Sequence, residues 1–188
     1  WSRGLGDVYK RQVKINVPYC LELNEEIKIY KKILKRSDFK AHIAPHTIKV
    51  ASMFSIMSRL KKSGKCDLLT KMKIYNGEEV IEKGRVKNID INDLREEHRE
   101  EGMNGISTRF IMKAIDHALV MSENHCVTPI GVMKSLTKMV KEQIVDEDFR
   151  ERCLEIVQNV VREEYLKILE TEIAKAFITA YEEQAQSL

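Results

Sequence analysis

Apolar residues recur at the three- and four-residue spacing of amphipathic helices along most of the chain. The first such stripe lies in LNEEIKIYKKILKRS, where Asn24 is placed to cap the helix. A second lies in APHTIKVASMFSIMSRLKK, with Pro45 in the first turn, where a helix needs no backbone donor. A shorter stripe, DLLTKMKIYNGEE, stops at Asn76 and Gly77. The residues predicted to be buried on the first two helices are Ile27, Tyr30, Ile33, Leu34, Val50, Met53, Phe54, Met57 and Leu60.

The second half of the chain predicts more helix. In NGISTRFIMKAIDHALVMSEN, Ser107 is placed as a cap, and in CVTPIGVMKSLTKMV Thr128 is the cap and Pro129 opens the helix. From about Asp148 to Gln184 a periodic pattern runs without Pro or Gly, as one long helix or as two with a subtle break. The predicted buried residues are Phe110, Ile111, Ala114, Ile115, Ala118, Leu119, Ile130, Met133, Leu136, Val140, Phe149, Cys153, Ile156, Val160, Leu169, Ile173, Ala176, Phe177 and Ala180.

Two segments depart from the helical period. Val13, Ile15 and Val17 alternate with polar residues and Pro18 ends the run, which predicts one short strand. Residues 78–104 are charged and poor in large apolar side chains, so we expect a long exposed insertion with a short helix from Ile91 to Arg99.

The composition excludes several classes of protein. The chain is 43% hydrophobic and 32% charged, and its net charge of +3 comes from 32 basic and 29 acidic residues. That balance does not favour a nucleic-acid-binding protein, because such proteins concentrate basic residues on one face. No apolar run approaches the roughly 20 residues of a membrane-spanning helix. The cysteines, Cys20, Cys66, Cys126 and Cys153, are dispersed without a C-x-x-C, which is typical of reduced thiols in the cytoplasm and does not favour a zinc site.

The first twelve residues, WSRGLGDVYKRQ, have neither the apolar core of a secretory signal nor the Ser- and Arg-rich amphipathic pattern of a transit peptide. DVYKRQ resembles the in-frame translation of a transposon end used in sequencing adapters. We therefore expect residues 1–12 to be an artifact joined to a gene fragment; the alternative is a disordered basic tail. The pattern also continues to Leu188 without a C-terminal cap, so we expect the natural protein to extend beyond both ends.

Arg109 is the strongest candidate for a functional residue. If Ser107 is the cap, Arg109 lies in the first turn, where its charge opposes the helix dipole at a cost of about 0.3–1 kcal/mol. A phosphate bound there reverses the sign, because the dipole and the planar guanidinium then both favour the anion. The alternatives are a solvated surface arginine or one paired with a nearby carboxylate, from Glu96, Glu97, Glu100 or Glu101.

Other candidates are weaker. His42 and His46 have the spacing of paired helical metal ligands, but Pro45 lies between them and no H-E-x-x-H is formed, so we predict no metal site. His117 and His125, near Cys126, carry no readable catalytic pattern. No nucleophile motif surrounds Ser55, Ser58, Ser63 or Ser107, and the kinase motifs H-R-D and D-F-G are absent from the sequence, so catalytic residues stay unassigned.

The surroundings of Arg109 carry a resemblance. GISTRFIMKAIDHALVMSENHCVTPIGVMKSL resembles the lid of AAA+ ATPases, in which a G-x-S-x-R element opens a helix and its arginine, called sensor 2, reaches the terminal phosphate of ATP. A V-x-P-x-x-V element, here Val127, Pro129 and Val132, then opens the next helix. The resemblance implies that Arg109 binds an ATP phosphate.

A wider resemblance covers nearly all of residues 13–188. VPYCLELNEEIKIYKKIL, AHIAPHTIKVASMFSIMSRL, KMKIYNGE, EGMNGISTRF and KAFITAYEEQAQ occur in the order and at the spacing of the bacterial PrkA serine protein kinase family. The family has an AAA+ module followed by a C-terminal kinase region. The resemblance implies a mainly α fold, with the last AAA+ core strand and the helical lid in residues 13–142 and the long helices of the C-terminal region starting at 143–188.

The same resemblance implies the activity. We expect part of a cytoplasmic, ATP- and Mg²⁺-dependent serine protein kinase whose lid couples ATP state to the C-terminal region, with a protein substrate and homo-oligomers formed through the AAA+ module. No G-x-x-x-x-G-K-[ST] loop occurs in the sequence, so ATP and Mg²⁺ would be held mainly by an upstream core, and the fragment alone would be inactive. Two alternatives stay open, a remodelling or proteolytic AAA+ ATPase and a helical partner-binding module without enzymatic activity.

Overall fold

A computed structural model describes residues 15–82, 85–86 and 89–186, and most of these residues are helical. The helices are α1 Leu23–Arg36, α2 Thr47–Arg59, α3 Leu68–Tyr75, α4 Ile91–Glu97, α5 Thr108–Val120, α6 Pro129–Gln143, α7 Glu147–Glu155, a π-helical segment Ile156–Val160, and α8 Val161–Gln186. The strands are β1 His42–Ile43, β2 Ile81–Glu82, β3 Arg85–Val86 and β4 Cys126–Val127, with β1 parallel to β4 and β2 antiparallel to β3. The predicted mainly α fold is confirmed.

Helix α2 is the centre of the core. Its residues from Val50 to Arg59 are all buried, and it contacts α1, α3, α5, α6, α7 and the start of α8. A helix that is buried on every side needs small or apolar side chains all round, and α2 meets this need up to Ser58 with Ser, Ala and apolar residues; the buried Arg59 is the exception. The predicted buried residues Val50, Met53, Phe54 and Met57 are confirmed as core, as is Leu60 just after the helix.

Local signals predicted several helix starts and ends correctly. The Ser107 hydroxyl accepts a hydrogen bond from the backbone N–H of Phe110, and the Thr128 hydroxyl accepts one from that of Gly131, with Pro129 as the first helical residue. Gly77, at a φ of 74°, ends α3 in the left-handed region that glycine adopts without strain. The short helix from Ile91 is also confirmed.

The predicted strand at residues 13–17 is wrong over the part that is described, and Val13 lies outside the described residues. Residues 15–22 have no regular secondary structure, and the side chains of Ile15 and Val17 are 78% and 82% exposed. An alternating pattern forms a strand only where a second strand accepts its hydrogen bonds, and no described strand lies beside this segment.

The first two helices begin at other residues than predicted. Helix α1 starts at Leu23, so Asn24 is not its cap; instead the backbone N–H of Asn24 donates to Oδ1 of Asn76 (2.8 Å), and the end of α3 satisfies this helix start. Pro45 lies in the turn before α2 rather than in its first turn. The pairing of β1 with β4 explains why Pro45 precedes the helix. The Ala44 amide and the Thr47 hydroxyl both donate to the Val127 carbonyl, which fixes the chain on either side of Pro45.

The expectation of an exposed insertion over residues 78–104 is wrong for its second half. Leu94 is fully buried, and Glu101 is only 7% exposed. Hydrophobicity could not predict this packing, because the residue that anchors the segment is a carboxylate with buried partners, described below.

The long pattern at the end of the chain forms one uninterrupted run of helix with the π-helical segment inside it, which decides between the two alternatives. Its first part is core as predicted; burial raises the pKa of the Cys153 thiol to about 12. The burial predicted farther along is wrong, since Ile173 and Phe177 are 54% and 67% exposed. The predicted burial of Ile130 on α6 is wrong as well, since it is 51% exposed.

Candidate functional site

Arg109 lies in the first turn of α5 with an exposed side chain. Within the described residues it forms no hydrogen bond or ion pair, and the first turn of α5 contains no acidic residue. Three of the four carboxylates considered as partners contact other groups instead: Glu97 bonds Ser63 and Gly64, Glu100 pairs with Lys61, and Glu101 pairs with Lys71. The ion-paired alternative for Arg109 is therefore not formed, and its guanidinium is open to a ligand.

The loop that leads into α5 is fixed to the central helix at both polar groups of Ile106. The Ile106 amide donates to Oγ of Ser58 (3.0 Å), and its carbonyl accepts from Nε of Arg59 (3.1 Å). Gly105 has a φ of 125°, and a Cβ there would lie 2.7 Å from Cγ of Arg59. The start of α5 is thus held against α2 at backbone contact distance.

Arg59 forms a buried ion pair with Glu26 of α1. The distance from Nη2 to Oε1 is 2.8 Å, and the two side chains are 0% and 1% exposed. Tyr30 donates to the same carboxylate oxygen, and Ser55 lies 3.3 Å from it, so the buried charge is well supplied with donors. Burial, and then the nearby Glu26 carboxylate, raise the pKa of Tyr30 far above its usual range, so this phenol stays a donor.

The same arginine reaches the irregular segment before α1. Its Nη1 donates to the Cys20 carbonyl (2.8 Å), and its guanidinium lies 4.7 Å from the centre of the Tyr19 ring, a cation–π distance. One buried side chain therefore joins residues 19–20, helix α1 and the loop that positions Arg109.

A second buried ion pair anchors the other end of this loop. Nζ of Lys71 lies 2.6 Å from Oε1 of Glu101, and the side chains are 0% and 3% exposed. The Tyr75 hydroxyl donates to Oε2 (2.8 Å) and the Lys61 amide to Oε1 (2.7 Å). Burial first, and then the bond to Glu101, raise the pKa of the Tyr75 phenol well above its usual value.

Sequence reasoning missed these four buried ions, although a signal was present for two of them, Glu26 and Arg59. Glu26 shares a helical stripe with the buried residues Leu23, Tyr30 and Leu34. On α2, Ser52, Ser55 and Arg59 fall at i, i+3 and i+7, a polar stripe on an otherwise apolar helix. A charged residue on a stripe of this kind is expected to have a buried partner.

Among the other candidates, His117 and the four serines form side-chain hydrogen bonds. His42 lies in β1 and His46 precedes α2, and in the described part of the chain no three His, Cys, Asp or Glu residues are grouped to hold a metal ion. Nδ1 of His117 lies 3.0 Å from Oγ of Ser135, while His125 sits in a turn with a φ of 49° before β4. The hydroxyls of Ser55, Ser58, Ser63 and Ser107 are all engaged in hydrogen bonds described above.

Arg109 and the start of α5 fit an anionic ligand rather than a cation. An exposed guanidinium that has no ion pair among the described residues, at the start of a 13-residue helix, suits phosphate oxygens. The described residues offer no comparable set of carboxylate or carbonyl ligands for Mg²⁺ beside it. None of the described helices is apolar over a length that would cross a bilayer.

Comparisons with known proteins match two family models in succession. Residues 6–67 match the PrkA AAA domain, and residues 69–188 match the PrkA serine protein kinase C-terminal domain. The division between the two matches falls at the Asp67 cap of α3; the boundary at residues 142–143 that the sequence suggested stays a prediction.

Curated relatives agree with the family models. A protein named "ATP-dependent protease PrkA" from Bacillus subtilis (strain 168) is 38% identical over 186 residues, which cover 96% of this chain and 29% of the relative. A protein named "Serine/threonine kinase YeaG" from Escherichia coli (strain K12) is 32% identical over 184 residues, covering 93% of this chain and 27% of the relative. The chain thus spans less than a third of the length of these relatives. No solved structure matches it.

Proposed function

The chain belongs to the PrkA serine protein kinase family, and we propose on that premise that it is the nucleotide-sensing lid region of a cytoplasmic, ATP-dependent protein serine kinase. The observation that carries the proposal is Arg109, an exposed cation without a partner among the described residues, at the start of a helix whose entry loop is fixed by buried ion pairs. ATP supplies the phosphoryl group, and Arg109 binds its terminal phosphate.

The network of buried ion pairs holds the loop before Arg109 in a defined position. A buried network of hydrogen-bonded ion pairs favours one geometry, because alternative positions leave a charge unpaired in the core. Arg59 links residues 19–20 to Ile106, so a displacement of the segment before α1 reaches the start of α5 through a single side chain. In this proposal the lid closes when Arg109 binds phosphate, and the movement passes through α6 to the long helices after Asp146.

The division of residues 13–142 and 143–188 into lid and C-terminal region belongs to the same proposal. The proposal has three further parts. The complete protein acts on a protein substrate, Mg²⁺ is bound to ATP outside these residues, and the protein self-associates through the AAA+ module.

The test uses the complete gene product that contains this chain. Arg109→Ala should lower the rate of ATP hydrolysis about tenfold to a hundredfold, as expected for the loss of one charge-assisted bond to a phosphate. Arg109→Lys should restore part of the rate, because it keeps the charge without the planar fork. Lys113→Ala is the matched control, since Lys113 is an exposed cation one turn later on α5. ATP turnover that is equal in all four proteins would refute the proposed role of Arg109, and no ATP turnover in any of them would favour the non-enzymatic partner-binding module.

A second candidate, proteolysis driven by ATP, is favoured by the name of the Bacillus subtilis relative, "ATP-dependent protease PrkA". It uses the same role for Arg109 and differs in the reaction of the C-terminal region. Labelled phosphate from ATP appearing on an added protein supports the kinase. ATP-dependent cleavage of that protein without labelling supports the protease.

A further inference from the structure

A groove of about 850 Å³ runs between α6 and the helical run that contains the π-helical segment. Its lining extends from Ile130 to Lys141 on α6 and from Val157 to Leu169 on the other wall. At a rise of 1.5 Å per residue, each wall is roughly 17 Å long, or about three helical turns. The groove has the dimensions of a site for a short helix.

The floor of the groove is apolar. Met133, Val157 and Tyr165 form part of the core below it, while Ile130 and Leu166 line it with 51% and 47% of their surface exposed. Exposed apolar surface that is gathered in a concavity is typical of a binding site. The exposure of this floor also explains why the predicted burial of Ile130 is wrong. No described part of the chain covers the face of α6 on which Ile130 lies.

The rim of the groove is cationic. Lys134, Lys138 and Lys141 follow one edge of α6 at i, i+4 and i+7, and Arg162 lies on the opposite wall. No carboxylate lines the groove, and none of these four cations forms an ion pair within the described ranges. This one-signed rim contrasts with a chain that is nearly balanced in charge overall.

The π-helical segment forms part of the second wall through Val157, Gln158 and Asn159. Such segments interrupt the regular spacing of side chains on a helix and are frequent at functional sites. Here the interruption places two exposed amide side chains beside the apolar floor, where they can donate to and accept from a bound polar group.

We propose that this groove, the α6–α8 groove, binds an acidic amphipathic helix of about three turns from a partner protein. Apolar residues of that helix at i, i+3 or i+4, and i+7 fill the floor, as in other helix-in-groove complexes. Its Glu or Asp residues face Lys134, Lys138, Lys141 and Arg162. A bilayer fits less well, because its flat surface does not reach a floor recessed between two helices. Arg109 does not line this groove, so binding there is independent of the proposed function.

The test measures fluorescence anisotropy of a labelled peptide of about 14 residues, with Leu at i, i+3, i+7 and i+10 and Glu at the flanking positions, added to the chain. We expect saturable binding that weakens as salt is raised, because charge pairs at a solvated rim are screened. The double variant Lys134→Glu/Lys138→Glu should weaken binding about tenfold or more, and Leu166→Ser should weaken it without changing the salt dependence.

Matched controls separate the groove from general charge attraction. Lys31→Glu/Lys35→Glu reverses two exposed lysines with the same spacing on α1 and should leave the affinity unchanged. A peptide with Lys in place of every Glu, and one with its Leu residues dispersed around the helix, should both bind at least about tenfold more weakly. Circular dichroism of each variant checks that the fold is retained.

Three results would overturn the proposal. The first is no binding of the acidic peptide, or binding that the groove reversals leave unchanged. The second is a concentration-dependent dimer in sedimentation that the groove reversals abolish and the peptide does not displace, which would make a second copy the occupant. The third is cosedimentation with phosphatidylglycerol vesicles that depends on the same lysines and resists the peptide, which would make the groove a membrane contact.

Discussion

The Arg59 side chain binds acceptors from three separate segments of the chain, and this is the physical reason for its burial. The guanidinium offers five N–H donors in a rigid plane, and here they meet the Glu26 carboxylate and the carbonyls of Cys20 and Ile106. A lysine has a single ammonium and could not span these acceptors in fixed directions. The position of the loop before Arg109 therefore depends on one arginine and on the carboxylate that neutralises it.

We expect Arg59→Met to destabilise the chain by about 3–5 kcal/mol, because it leaves the Glu26 carboxylate buried without its cation. The double variant Arg59→Met/Glu26→Leu should be destabilised by less than the sum of the two single variants, since it removes both charges. Urea unfolding of the four proteins at neutral pH gives these free energies. Strictly additive effects would mean that the two residues do not interact as a pair in solution.

At this scale the sequence predicted Arg109 as a candidate but not the residues that position it. Arg109 stands in a short motif whose chemistry follows from its place in the first helical turn. Glu26 and Arg59 lie more than thirty residues apart, and their contact depends on how α1 crosses α2. A helical stripe shows that a charge faces inward, but it does not show which partner it meets.

Among the elements, the loop from Gly102 to Ser107 does most to place the candidate site. Both of its ends are tied to buried ion pairs, and its middle passes the backbone of α2 at Gly105. The chain can approach so closely because glycine lacks a Cβ and tolerates a positive φ.

Gly105→Ala should destabilise the chain by about 2–4 kcal/mol, because its Cβ would lie 2.9 Å from Cα of Arg59 and 3.0 Å from the Ser58 carbonyl oxygen, at a φ of 125°. These are backbone atoms of the central helix, which cannot move without disturbing the core. The matched control is Gly64→Ala, where no atom lies within 4 Å of the added Cβ and where we expect a change of about 0.5 kcal/mol or less. Thermal unfolding of both variants checks the difference; equal melting temperatures would mean that the loop moves away from α2 in solution.

Elements with local signals were predicted well, and elements that depend on neighbours were not. The starts of α5 and α6 follow from Ser107 and Thr128, whose hydroxyls each accept a hydrogen bond from the backbone N–H three residues ahead. The β1–β4 pair was missed, because two-residue strands that pair over more than eighty positions leave no periodic pattern. The strand at residues 13–17 was predicted from alternation alone, which specifies a face but not a partner.

At the scale of the whole molecule, one core contains residues from both of the ranges that the family models match. Helices α1 and α2 lie in the part that matches the AAA domain, while α5, α6 and α7 lie in the part that matches the C-terminal domain, yet all of them pack around α2. The two parts of the chain that the family models match therefore share one hydrophobic core.

The stability of the final helix should fall steeply along its length. Val161 and Tyr165 are buried against the core, whereas every residue from 171 to 180 is exposed. Isolated helices are marginal in water, because most helical stability comes from the packing of one face. Amide hydrogen exchange followed by mass spectrometry should therefore find residues 171–180 exchanging at least about a hundredfold faster than α2. Protection of residues 171–180 equal to that of α2 in dilute protein would contradict this gradient. Protection that grows with protein concentration would show instead that a second copy covers Ile173 and Phe177, the exposed stripe that continues the floor of the α6–α8 groove from Leu166 and Leu169.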